Sequence, residues 1–191
     1  MIRSIKADGP GPGDERMIDF AIRRLVEELG AGAACLAPLF RARPILVPVP
    51  PSAPVLAGGL WIPRRICEEM RARGLGTDVV PLLRRRHAIP KSAYAPPGKR
   101  PTLRTHEDSL ELSGAPPMAA ERLLLVDDVV TKGAALLGAA SVLSAAMAGC
   151  ELSAFALVRT MGLVPDVERL VDPCLGKVAR TPDGLDAHRE P

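Results

Sequence analysis

The stretch RLLLVDDVVTKGAALLGAA, residues 122–140, restricts the fold more than any other part of this chain. Leu123, Leu124, Leu125 and Val126 follow one another with no polar residue between them. A strand exposed on one face alternates apolar and polar side chains, so the unbroken run predicts a strand over 122–127 covered on both faces. Residues 133–149 are mostly Ala and Leu between Gly133 and Gly149, a composition that favours a helix and permits close packing. A strand followed at once by a helix is the unit of a parallel sheet, whose neighbouring strands are joined by helical crossovers.

The remaining chain fits the same scheme. Residues 15–29 carry Ile18, Ala21, Leu25 and Leu29 at helical spacing, with Asp14 placed to cap the helix and Gly30 to close it. Residues 44–49 and 77–83 read as short buried strands, 61–73 as a helix stopped by Gly74, and 151–160 as a further strand. The run DGPGPGD (8–14) is too rich in Gly and Pro for a helix, and the last ten residues read as loose. The expected fold is α/β: an open, mainly parallel twisted sheet with helices on both faces. It would form a single domain over 1–191, with its core at about 45–160, a flexible basic loop at about 84–112 and a small C-terminal extension at 161–191.

Composition excludes several classes. With 47% hydrophobic and 25% charged residues the chain matches soluble globular proteins. No apolar run nears the roughly 20 residues needed to cross a bilayer. Residues 1–34 lack the order of a signal peptide, so a cytoplasmic protein without membrane contact is expected. Cys35, Cys67, Cys150 and Cys174 show no C-x-x-C spacing and read as buried or half-buried thiols. Seven basic and no acidic residues lie between Arg84 and Arg104, leaving 18 basic and 22 acidic residues elsewhere, so one segment holds the positive excess. That segment has one aromatic, Tyr94, and such weak interleaving argues against nucleic acid.

In parallel sheets, ligands sit beyond the carboxyl ends of the strands. Asp127 and Asp128 end the apolar run there, and Thr131, Lys132, Gly133, Ala134 and Ala135 open the next helix, whose amides and macrodipole favour a phosphate. Two acceptor carboxylates beside a phosphate cradle suit a phosphorylated sugar.

The motif LLLVDDVVTKGAA resembles the phosphoribosyl pyrophosphate (PRPP) motif of the type I phosphoribosyltransferases, nearest to their ComF-like branch. The resemblance implies that Asp127 and Asp128 bind the ribose hydroxyls and that residues 131–135 hold the 5′-phosphate. Lys132 and Ala135 depart from the family pattern, which usually has a small residue or Thr at the first and Ser or Thr at the second. VPVPPSAP (47–54) matches the loop that contacts pyrophosphate, with Pro51 and Ser52 as its candidates, and X-Pro bonds there could adopt cis geometry. The basic segment occupies the place of the family's flexible loop, which makes Arg84, Arg85, Lys91, Lys99 and Arg100 candidates to neutralise the leaving group. His87 and His106 are weaker candidates for proton transfer.

By the same resemblance, Asp127 and Lys91 would make the catalytic contacts. Mg²⁺ would be held through substrate oxygens, with Asp127 as its one protein contact. The implied partners are PRPP and a nitrogen heterocycle bound near the segment after residue 160, and family members are often homodimers. Two other readings account for the same motif. One is a PRPP-binding regulator or ComF-like accessory protein without catalysis, and the other an unrelated α/β protein whose acidic strand end is structural.

Overall fold

A computed structural model describes residues 2–32, 35–56, 58–91, 99–114, 121–160 and 173–190. Its centre is a three-stranded parallel sheet in the order β1 (Ile45–Pro48), β4 (Arg122–Val130), β5 (Glu151–Arg159). On the outer side of β1, Val79 makes a single parallel bridge to Leu46, with hydrogen bonds from Leu46 N to Asp78 O and from Val80 N to Leu46 O. Residues 77–83 are therefore not the full strand expected. Pro81 has no N–H to extend the ladder, and regular pairing resumes in β2 (Leu83–Arg85), antiparallel to β3 (Leu110–Leu112).

The alternation of β4 explains how its apolar run is used. Leu124 and Val126 join one hydrophobic cluster and Leu123 and Leu125 the other, each on its own side of the sheet. The first cluster is covered by α1 (Ile2–Ala7), α2 (Met17–Gly30), α3 (Ala37–Arg41) and α4 (Ile62–Ala72), through Ile5, Ile18, Ile22, Phe40, Ile66 and Met70. The second is covered by α6 (Ala134–Ala146), through Leu136, Ala139 and Leu143, together with the β2–β3 pair. Helices thus lie on both faces. Among the described residues, no helix is long and apolar enough to cross a membrane.

Several expectations change. Ile2–Ala7 is helical ahead of the Gly/Pro run, because Ile5 buries against the sheet and Asp8 is held by Arg16 and Arg65. Asp14 does not cap α2; that place falls to Arg16, which makes no side-chain cap. The buried stripe of α2 is Ile18, Ile22 and Leu25, so Ala21 lies at its border. Residues 84–106 are not without structure, since α5 (Leu103–Ser109) starts on a reciprocal Thr102–Thr105 capping box. The tail folds as a hairpin, β6 (Lys177–Arg180) with β7 (Ala187–Glu190), instead of fraying. Among the described residues every peptide bond is trans and all four cysteines are free, with Cys174 exposed instead of buried.

Candidate functional site

Strand lengths create the site. β1 pairs with β4 only as far as Pro48 opposite Val126, and Val49 N then donates to Val126 O before the chain turns away. β4 continues to Val130 on the β5 side, three residues past the expected end at 127. Asp127 and Asp128 therefore overhang the end of β1. The chain leaves β1 for the 77–80 segment on one side, while β4 lies on the other. Such a reversal of strand order opens a crevice at the carboxyl ends of the strands.

Alternation sends the two carboxyl groups in opposite directions. Asp128 points toward the α1 side, where Lys6 Nζ donates to its Oδ2 at 2.8 Å, while its Oδ1 accepts from Val129 N at 2.9 Å. Asp127 lies on the side of Arg85, and its Oδ1 accepts from Asp128 N at 2.8 Å. Burial, and then the charge of Asp128, push the Asp127 carboxyl up to about 8, against the weaker pull of Lys6.

The 131–135 loop follows directly. Thr131 and Lys132 are exposed, and Gly133 begins α6 in the left-handed conformation (φ 87°), which glycine adopts without strain. The first intrahelical bond runs from Leu137 N to Gly133 O, so the amides of Ala134, Ala135 and Leu136 lack carbonyl partners within the helix. The missing side chain of Gly133 also serves packing: a Cβ there would lie 2.5 Å from Val178 Cγ1 on β6. Lys132 Nζ meets Asp186 Oδ2 at 2.9 Å on the loop between β6 and β7. Burial alone would raise Asp186, but Lys132 and the amides of Ala187 and Leu103 outweigh it and hold the carboxyl below its usual range.

Of the basic candidates, Arg85 is not free to meet a ligand from the loop. It is 5% exposed; its Nε donates to Pro51 O at 3.0 Å, and its other nitrogens reach His106 Nδ1, His106 O and Ser109 Oγ. Its place is behind the 49–54 loop, which it ties to the end of α5. Burial lowers its guanidinium to about 10, partly offset by Asp127. Burial and the neighbouring Arg85 push His106 down to about 4, so the imidazole is neutral and accepts at Nδ1. This places His106 among packing groups instead of proton-transfer groups.

Arg84 is exposed and pairs with Glu111 across the β2–β3 ladder at 2.8 Å. Pro51 and Ser52 are half-buried beside the crevice, and Ser52 O accepts from Ile89 N at 2.7 Å. Lys91, Lys99 and Arg100 are exposed at the two ends of the basic segment. Its middle, with Tyr94, and residues 161–172, the part of the tail next to β5 where the acceptor is expected, lie outside the described residues.

Two participants were missed from the sequence, Lys6 and Asp186. No local signal marks either, since their partners lie 122 and 54 residues away.

The donor set at the acid pair is hard oxygen, which suits Mg²⁺. No group of three His, Cys, Asp or Glu side chains that could hold a metal occurs among the described residues. Magnesium commonly keeps several waters and binds through one or two carboxylates plus substrate phosphates, so the pair fits it in that shared mode. No family model matches this chain, and no curated protein is significantly similar to it.

Proposed function

We propose that the protein is a Mg²⁺-dependent phosphoribosyltransferase, which transfers the ribose 5-phosphate group of PRPP to a nitrogen heterocycle and releases pyrophosphate. The observation that carries this reading is the continuity of two subsites: an acid pair overhanging β1, and, with Gly133 five residues past Asp128, a glycine-started helix whose first amides lack intrahelical partners. A ribose 5-phosphate needs both, a diol acceptor and a phosphate cradle, one sugar ring apart. The Lys6–Asp128 pair does not oppose it, because an ion pair whose lysine is 45% exposed is worth about 0–1 kcal/mol and exchanges readily for a ligand.

In the reaction the C1–O bond to diphosphate breaks, the C1–N bond to the heterocycle forms, and the acceptor nitrogen loses its proton. Asp127 and Asp128 orient the sugar by accepting its hydroxyls, and the helix amides with Thr131 and Lys132 fix the far end at the phosphate. Ser52 offers a donor to the departing diphosphate from a loop that Arg85 holds in place. Lys91, Lys99 and Arg100 supply positive charge from the basic segment. A divalent cation held by substrate oxygens and Asp127 or Asp128 would neutralise the leaving group.

The test is thermal: PRPP with Mg²⁺ at a hundred times its Kd should stabilise the native chain by about 2.7 kcal/mol. Asp128→Asn should lose that response. Nucleotide formation across a panel of bases then separates a transferase from a PRPP-binding regulator. No stabilisation at millimolar PRPP would sink the assignment.

A further inference from the structure

We infer that Lys6, carried on α1, is a diphosphate-binding residue that lets the site discriminate PRPP from ribose 5-phosphate. The juxtaposition behind it is an ammonium group seated on Oδ2 of Asp128, one member of the acid pair. This inference rests on the phosphoribosyl reading of the acid pair and extends it to a residue from the opposite end of the chain.

The position of Lys6 is fixed on both sides. Ile5 is 2% exposed and packs into the same cluster as Leu124 and Val126 of β4. Asp8 is 3% exposed and takes Arg16 Nε at 2.9 Å and Arg65 Nε at 3.4 Å. Between these anchors Lys6 reaches Asp128 Oδ2 at 2.8 Å, while its side chain remains 45% exposed. An ammonium on a flexible four-carbon stem can follow a ligand over several ångströms without moving its helix.

Sugar geometry selects the group it meets. With the 2- and 3-hydroxyls on the carboxylates, the substituent at C1 is the neighbour of the 2-hydroxyl, whereas the 5-phosphate leaves from the far side of the ring toward residues 131–135. With the 2-hydroxyl on Asp128 and the 3-hydroxyl on Asp127, a cation within hydrogen-bond distance of Asp128 is nearer a C1 diphosphate than the 5-phosphate. Lys132 faces Asp186 at the other subsite, Arg84 faces Glu111, and Arg85 is buried behind the 49–54 loop. Lys6 is thus the described cation in direct contact with the acid pair. Its charge also offsets that of Asp128, so the highly anionic ligand does not meet a net negative pocket.

The experiment is calorimetric titration of the full chain with PRPP and, separately, ribose 5-phosphate at constant Mg²⁺. It is run for the native protein, Lys6→Gln and Lys6→Arg. Losing one charge-assisted contact should weaken PRPP binding by about tenfold or more in Lys6→Gln. Ribose 5-phosphate, which has no C1 phosphate, should bind as well as before or slightly better, because a competing partner of Asp128 has gone. Lys6→Arg should recover most of the PRPP affinity. Equal losses for both ligands would mean that Lys6 merely steadies α1 against β4, and unchanged PRPP binding would mean it takes no part; either overturns the inference while the diol site stands. If the native chain binds neither ligand, the phosphoribosyl reading fails and this one with it.

Discussion

Replacing Asp127 by asparagine should alter stability in a strongly pH-dependent way, and the sign follows from burial. In the unfolded chain the carboxyl titrates near 3.8, and in the folded protein near 8. Below pH 4 it is protonated in both states and costs nothing. Between pH 4 and 8 the unfolded chain ionises while the folded one keeps its proton, so folding stability falls as pH rises, and above 8 the full penalty is present. At about 1.4 kcal/mol per unit the shift corresponds to roughly 6 kcal/mol. Relaxation around a buried carboxyl reduces the penalty actually felt, so about half of that, near 3 kcal/mol, is the expected gain of Asp127→Asn at pH 8.5. At pH 4 the two proteins should be equally stable to within about 1 kcal/mol. Asparagine still accepts from Asp128 N, so the substitution removes the titration without removing that hydrogen bond. The assay is urea unfolding at both pH values followed by the single tryptophan, Trp61, whose Nε1 donates to Val49 O at the exit of β1. A stability difference that stays the same at pH 4 and 8.5 would refute the account of a buried Asp127 carboxyl raised by desolvation and its acidic neighbour.

Gly133→Ala should destabilise the fold by about 2–4 kcal/mol, combining left-handed strain with overpacking against Val178. Adding Val178→Ala should return the overpacking part, and strictly additive effects in the double-mutant cycle would show that β6 is not what fills that space. His106, held low by burial and Arg85, should appear in nitrogen-detected spectra as the neutral tautomer protonated at Nε2 down to about pH 5. Because its folded pKa lies below the unfolded value, the stability it permits is present above pH 6.5 and lost as pH falls toward 4. An imidazolium at pH 6 would contradict the buried Arg85–His106 contact.

The sequence by itself determined the regular elements whose periodicity is local. β1, α4, β4, α6 and β5 fall where apolar runs and helical spacing place them, each within a few residues, because burial on one or both faces leaves its mark on consecutive side chains. The acid pair and the glycine-started helix were legible for the same reason. α5 left a faint trace in Thr102, a capping residue just after a proline, within a stretch too basic and Pro-rich to suggest a helix.

Tertiary structure alone decided which groups face one another across the crevice. Where β1 stops against β4 determines that Asp127 and Asp128 overhang. The packing of Ile5 and Asp8 aims Lys6 at Asp128, and the C-terminal hairpin brings Asp186 to Lys132. Arg85 reads as one more arginine in a basic run, yet the β2–β3 pairing turns it inward beneath Pro51 while Arg84 points out to Glu111. A two-residue repeat says that neighbours on a strand face opposite ways; which way leads into the protein depends on what the rest of the chain packs against it.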